Sequence, residues 1–301
     1  MKCIAILGAS ASGKTALSIE VAKNFNAYIL SLDSLSLYKE INIASAKPTL
    51  EERCGIVHFG IDEFCVTVDF NVTMFFDLYK KAKKACEKDN KNLIIVGGTG
   101  FYLKAMMEGL STKPPINEVV AKDVANALKN LKKAYETIEN IDPVYASKIS
   151  SNDPYRIEKW LEIFYATKQI PSQYMLDNKN SPIISHVTLF EIETDKEILR
   201  QRIAKRTDMM LQKGLIDEVI YLEKTFTRTP NCMKSIGIAE VLEYLDGYLS
   251  KDELREKIIT NTARLAKRQR TFNTTQFPPH TKESIDELKI LIENHLHSPL
   301  I

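Results

Sequence analysis

Short apolar runs alternate with longer stretches of helical period through the first hundred residues. Residues 3–7, 28–32 (Y-I-L-S-L) and 93–96 are apolar without polar alternation, the pattern of strands buried on both faces. Residues 71–88 carry the three-and-four spacing of a helix, and residues 14–24 read as the helix that follows the first strand. Strands alternating with helices predict a mostly parallel sheet with right-handed crossovers. In such a sheet ligands gather at the carboxyl ends of the strands. Three polar or glycine-rich segments follow these strands: 8–15, Asp33-Ser34 and 97–99.

The pattern changes at L-S-T-K-P-P, residues 110–115, because Pro114-Pro115 cannot continue a helix. The chain then reads as polar and helical to about residue 167, passes a second loop at 178–181, and returns to strand at 187–193. Helices are expected at 197–210, 236–244 and 251–272, with Gly214 and Gly247 as helix stops. The expected organisation is an α/β core of the P-loop type (1–114), a helical insertion (115–184), completion of the core with basic helices (185–280), and a terminal helix and tail (281–301). No internal repeat is visible.

Composition narrows the picture little. A chain of 301 residues with 44% apolar residues has ample core, and a formal charge of +2 does not announce a polyanionic partner. The distribution says more. Arg264, Lys267, Arg268 and Arg270 follow one another with no acid between them, and Arg200, Arg202, Lys205 and Arg206 form a second cluster. Local patches of this kind steer polyanions even at small net charge. The five cysteines are odd in number and never at C-x-x-C spacing, as expected for thiols in a reducing cytoplasm rather than for a zinc site. Met1-Lys-Cys runs directly into the first strand, without the pattern of a signal peptide. No apolar run approaches the length of a membrane span.

Candidate chemistry begins at Gly8-Ala9-Ser10-Ala11-Ser12-Gly13-Lys14-Thr15, which has the spacing of a P-loop between a buried strand and a helix. Its amides would line an anionic concavity at a helix N-terminus. Lys14 would reach the phosphates and Thr15 would hold a magnesium ion. Asp33 closes the second strand, where it reads either as a magnesium-binding acid or as a general base. Thr99, in a G-G-T-G turn, could donate to a phosphate oxygen or cap the turn.

The order of these elements resembles the tRNA dimethylallyltransferase family, the isopentenyl-pyrophosphate:tRNA transferases. The family's P-loop is matched by residues 8–15, its D-S-x-Q-x-Y-K by Asp33-Ser-Leu-Ser-Leu-Tyr38-Lys39, and its G-T-A-K-P by Ala44-Ser-Ala-Lys47-Pro48. Val96-Gly-Gly-Thr99, Asn152-Asp-Pro-Tyr-Arg156, Arg202-Ile-Ala-Lys-Arg206 and Ser235-Ile-Gly-Ile-Ala-Glu240 follow in family order. The closing block aligns from Arg264 through Lys267-Arg268-Gln269 to Thr271-Phe272. Departures include Ser36 for the usual glutamine, Tyr155 for the glutamine before Arg156, Lys159 for an arginine, and Ala44-Ser45 for Gly-Thr. Serine at 36 lacks the paired amide donor and acceptor that can bracket a purine edge.

The resemblance implies transfer of a dimethylallyl group from dimethylallyl diphosphate to N6 of adenine 37, beside the anticodon of tRNAs reading codons that begin with U. It implies Asp33, Thr99, Lys14 and Arg202 as catalytic residues, residues 8–15 as the diphosphate cradle, and magnesium held through Thr15. It places Asp33, Ser34, Leu35, Ser36, Lys47, Thr99, Arg156, Lys159, Arg206, Arg264, Lys267 and Arg268 against the tRNA anticodon stem-loop. A monomer is expected. Two other readings fit parts of the pattern: a P-loop small-molecule or nucleoside kinase, and an RNA-binding protein without catalysis.

Overall fold

The computed structural model describes residues 1–299. The chain forms two compact units: Met1–Ala105 with the chain from Ile184 onward, and Met106–Ile183.

The first unit is built on a parallel six-stranded sheet. Its strands are β1 (Cys3–Gly8), β2 (Ala27–Ser31), β3 (His58–Phe59), β4 (Asn92–Val96), β5 (Thr188–Ile192) and β6 (Thr281–Glu283), in the order β3-β2-β4-β1-β5-β6. β1 is central, with Ile4 opposite Ile94 and Leu7 opposite Glu191. Ile4, Ala5, Ile6 and Leu7 are wholly buried. Each fully buried large aliphatic side chain contributes about 1.5–3 kcal/mol of apolar transfer. Helices α1 (Lys14–Asn24) and α13 (Ile285–His297) share an apolar cluster with the sheet through Leu17, Val21, Leu288 and Ile292. α2 (Val72–Asp89) packs on β2 and β4, and its N-terminus is capped by the Asn71 side chain, which accepts from the amides of Thr73 and Met74.

A second apolar cluster lies among helices that follow β5. α9 (Lys196–Gln212), α10 (Leu215–Phe226), α11 (Ile238–Leu245) and α12 (Lys251–Gln276) bury Met210, Leu215, Val219, Val241 and Ile258 together with Tyr38 and Ile41 from the segment after β2. α12 also packs against α9 and β1, which brings its later turns to the carboxyl ends of the strands.

The second unit contains α4 (Glu118–Leu128), α5 (Leu131–Ile141), α6 (Pro143–Ala146), α7 (Pro154–Thr167) and α8 (Pro171–Asp177). Its core is organised by Trp160, wholly buried, whose indole N–H donates to Asp142 Oδ2 at 3.0 Å. Asp142 also accepts from the amides of Ser172 and Tyr145. Burial alone would push its carboxyl up, but these hydrogen bonds hold it below the usual range.

Three features differ from the sequence expectation. The helical unit begins at Met106, inside the helix α3 (Gly100–Glu108), before the Pro114-Pro115 break that marks the composition change. Leu215–Phe226 is a full helix where only a stop at Gly214 is expected; Gly214 adopts φ +95 and starts α10 as it leaves α9. The terminal segment is part of the core. Thr281–Glu283 pairs with β5, and Leu288 and Ile292 are wholly buried; residues 300 and 301 of the expected tail lie outside the described residues.

Candidate active site

The phosphate loop leaves β1 at Gly8 and enters α1 at Lys14. Gly13 takes the left-handed conformation, φ +98, which favours glycine there, and a Cβ would also crowd the end of the Ile285 side chain at 2.9 Å. No side chain caps α1. The amide of Ser12 donates to the Ala9 carbonyl at 3.1 Å, whereas those of Ala11, Gly13, Lys14 and Thr15 have no partner among the described residues. Four free amides at a helix N-terminus form an anion cradle. Lys14 is buried beside it, with Nζ donating to the Ala9 carbonyl at 2.6 Å. Burial, and then the charge of Arg206, bring the Lys14 ammonium down to about 8, against the opposing pull of Asp33 and Glu191.

Two neighbouring cavities open at this end of the sheet. The first, about 530 Å³, lies over the phosphate loop and is lined by Lys14, Thr15, Lys47, Arg202, Lys205 and Arg206. The second, about 510 Å³, sets the larger apolar side chains Leu35, Met210, Ile258, Leu265, Phe101 and Phe272 beside polar ones that include Thr99, Lys234, Ser235, Thr262 and Arg268. Both are bounded by Ser10, Asp33, Ser45, Ala46, Gly98, Arg206 and Gln269.

Asp33 stands at that junction because β2 ends there in a turn. Its Oδ1 accepts from the amides of Leu35 at 2.9 Å and Ser36 at 3.2 Å. Both bonds fall on one oxygen, and Oδ2 takes none among the described residues. The capping role therefore coexists with a free acceptor at the cavity. Arg206 makes no hydrogen bond or ion pair among the described residues. Burial depresses its pKa, and Asp33 opposes that. A half-buried guanidinium without a partner is open to an anion in the cavity.

The structure distributes the other expected residues unevenly. Arg202 lines the loop cavity, its Nη1 3.4 Å from the Ser12 carbonyl. Thr99 lines the apolar cavity rather than the one that holds Lys14, and its carbonyl accepts the Tyr102 amide at the start of α3. Ser34 and Leu35 border the apolar cavity, Ser36 the loop cavity. Lys47 is enclosed in an ion pair with Asp62 at 2.5 Å, donates to the Tyr38 carbonyl at 2.8 Å, and so holds its loop in place. Arg264, Lys267 and Arg268 are exposed on α12 with no acid paired to them among the described residues. In the helical unit, Arg156 contacts Asp153 at 3.4 Å and Lys159 contacts Glu162 at 2.5 Å.

Comparison with known proteins decides what this arrangement belongs to. The model of IPP transferase matches residues 36–276. The chain is 53% identical over 292 residues to a tRNA dimethylallyltransferase of Sulfurovum sp. (strain NBC37-1), covering 96% of this chain and 97% of the relative. The chain belongs to the IPP transferase family. Among solved structures, the full-length tRNA isopentenylpyrophosphate transferase of Bacillus halodurans superposes with a TM-score of 0.72 at 28% identity, over 98% of this chain and 95% of that one. A eukaryotic dimethylallyltransferase solved acting on tRNA superposes with a TM-score of 0.74 at 27% identity, over 90% and 69% of the two chains.

Within this IPP transferase, two residues that escaped the sequence reading position the site. Glu218 on α10 accepts from the amides of Asn42, Ile43 and Ala44 and thereby fixes the loop that carries Ser45 and Ala46 to both cavities. Gln269 on α12 accepts from the Ser10 amide at 2.8 Å. Glu218 belongs to no motif or cluster, and only its spatial partners mark it; Gln269 lies in the closing basic block, but its hold on Ser10 shows only in the fold. The donor set fits a hard cation at one point: Thr15, on the first turn of α1, lines the cavity that would hold a diphosphate. Among the described residues no cluster of three or more His, Cys, Asp or Glu side chains could hold a metal ion. No described helix is long and apolar enough to cross a membrane.

Proposed function

We propose that this chain transfers the dimethylallyl group of dimethylallyl diphosphate to N6 of adenine 37 in tRNAs reading codons that begin with U. The observation that carries this reading is the meeting, at Asp33 and Arg206, of the cationic cavity over the phosphate loop and a second cavity with a large apolar wall. The diphosphate lies over the loop and the adenine enters from the apolar side. The C1–O bond of the donor breaks, the C1–N6 bond forms, and diphosphate leaves with the bonding electrons. One N6 proton passes to Asp33 Oδ2, directly or through water.

Each chamber supports its half of the reaction. The amides of Ala11, Gly13, Lys14 and Thr15 bind the leaving diphosphate, and Lys14, Arg202 and Arg206 stabilise the charge that grows on it. Thr99 donates to the bridging oxygen from the other side of the junction. Leu35, Met210 and Phe272 exclude water from a carbon that gains cationic character as its bond to oxygen lengthens. Magnesium, bound through Thr15, supplies further neutralisation of the departing charge. Adenine 37 must leave the anticodon-loop stack, and an unpaired loop makes that inexpensive. Arg264, Lys267, Arg268, Arg156 and Lys159 bind the RNA, while Lys47 holds a loop. The enzyme acts as a cytoplasmic monomer.

Incubation with dimethylallyl diphosphate, magnesium and unmodified tRNA, followed by nuclease digestion, tests the reading. A five-carbon mass gain on adenosine is expected. Phosphate transfer from a nucleoside triphosphate, with no prenylated adenosine, would overturn it.

A further inference from the structure

The two ends of the phosphate loop are held differently. Near its start, the Ser10 amide donates to Gln269 Oε1 at 2.8 Å, and Arg202 reaches the Ser12 carbonyl at 3.4 Å. At Gly13 no side chain caps the helix, and the one bond there is the first of α1 itself, from the Leu17 amide to the Gly13 carbonyl at 3.2 Å. A glycine at φ +98 has no side chain to keep it there and turns readily.

What meets Gly13 is the terminal helix. Where a Cβ would stand, Ile285 Cδ1 is the one heavy atom within 4 Å among the described residues, apart from α1 and the chain neighbours. From this point α13 runs beside α1. Leu288 and Ile292 join Leu17 and Val21 in one cluster, Lys289 pairs with Glu20, and the His297 ring meets Phe25 edge-on at 4.9 Å. The segment that delivers Ile285 is pinned as well. β6 pairs with β5, His280 Nε2 lies 3.1 Å from the buried Glu191, and the Ser284 hydroxyl accepts from the Glu287 amide at 3.4 Å to cap α13. Ile285 is thus a fixed stop for a residue that has no other.

Amides stabilise a departing anion best when they are aimed before the bond breaks. Those of Gly13, Lys14 and Thr15 all turn with the Gly13 backbone. We propose that Ile285 is a positioning residue for the transfer reaction: its δ-methyl holds Gly13 in the left-handed conformation and so aims these three amides at the leaving group. This rests on the reading of the loop as the cradle of that group.

Ile285→Val removes the contacting methyl and little else. Ile292→Val removes the same methyl from a wholly buried position in the same cluster, about two turns further along α13, and is the control. Single-turnover transfer at saturating donor and tRNA, calorimetric titration with magnesium pyrophosphate, tRNA affinity and melting temperature are measured for both. Ile285→Val is expected to lower the transfer rate constant and the pyrophosphate affinity about tenfold each, the scale of a small misplacement of catalytic donors, and to leave tRNA affinity within about twofold. Ile292→Val lowers the melting temperature at least as much, its site being the more deeply buried, and leaves transfer and pyrophosphate affinity within about twofold. Ile285→Leu keeps a δ-methyl beside Gly13 and restores both. Unchanged transfer and pyrophosphate affinity in Ile285→Val overturn the assignment. Equal losses in Ile292→Val make the effect one of core packing and overturn it too, as does an Ile285→Leu variant no better than Ile285→Val. Wild type that binds no pyrophosphate and transfers no prenyl group overturns the reading of the loop, and this assignment with it.

Discussion

The chamber over the phosphate loop is walled by Lys14, Arg202, Lys205 and Arg206, whereas the chamber beside it is walled by Leu35, Met210, Ile258, Leu265 and Phe272. Both carry cations, the second through Arg206, Lys234 and Arg268; what sets them apart is the phosphate loop with Lys14 in the first and the larger aliphatic and aromatic side chains in the second. They share Asp33 and Arg206, so the only carboxylate and guanidinium common to both stand where bonds would exchange. The same division recurs along α12. In its first half, Arg255 pairs with Asp208 at 2.5 Å, and Lys257 pairs with Glu243. In its later half, Arg264, Lys267 and Arg268 are exposed without such partners among the described residues. A net charge of +2 conceals both contrasts.

The junction is where this comparison breaks most readily. Asp33→Ala is expected to lower transfer by about 10²–10⁴-fold, the range of a lost general base. Pyrophosphate and tRNA affinity should stay within a few-fold, because each is held in its own chamber. Single-turnover transfer and separate binding titrations measure the two. Normal transfer with abolished tRNA binding would make Asp33 an RNA contact instead. Arg206→Met comes next, at roughly 10²–10³-fold in transfer, as for removal of one preorganised donor to developing charge. It should weaken pyrophosphate as well, whereas Asp33→Ala should not. If Arg206→Met affects tRNA affinity alone, the guanidinium serves the other chamber.

Lys14 sharpens the electrostatic half of the contrast through pH. Its pKa in the folded, empty protein is lowered to about 8 from an ordinary 10.5. Between those values the folded protein holds fewer protons than the unfolded chain. Its burial therefore costs stability below about 8, and that cost fades as pH rises toward the unfolded value. A bound diphosphate restores the charge, so binding above pH 8 should take up a proton and weaken as pH increases. Pyrophosphate titrations at pH 9 in two buffers of different ionisation enthalpy measure that uptake. Its persistence in Lys14→Met would assign the proton to another group.

Much of the loop chamber was legible because its determinants are local. A strand, the spacing of two glycines, a lysine and a helix lie within residues 3–24, and α1 begins and ends where its period predicts. The apolar chamber was hidden because its walls come from Leu35, Phe101, Met210, Ile258 and Phe272, brought together only by packing of α9 and α12. β3 is two residues long, and β6 is the polar T-K-E at a sheet edge, so neither carries an apolar run. Lys47 shows a partner that its motif does not reveal. Its motif marks it as an RNA contact, but Asp62, fifteen positions away, encloses it. Gln269 carries no charge and interrupts a basic run, so its hold on Ser10 leaves no trace in composition.

The smallest expected effect tests the two halves of α12 against each other. An exposed cation that neutralises an RNA phosphate releases a counterion, and its removal should reduce the log–log dependence of tRNA affinity on salt by roughly 0.7–0.9. Lys267→Ala and Arg268→Ala should each do so, with little change in melting temperature, because no ion pair is lost. Lys257→Ala should leave the slope unchanged and lower stability slightly, since surface pairs are worth about 0–1 kcal/mol. Arg268 also lines the apolar chamber, so its variant should reduce transfer more than Lys267→Ala does at equal tRNA occupancy. Equal slopes in all three variants would mean that pairing does not sort the cations of α12. An unchanged slope at Lys267 and Arg268 with a falling melting temperature would make the later half a structural network and leave RNA binding to the helical unit.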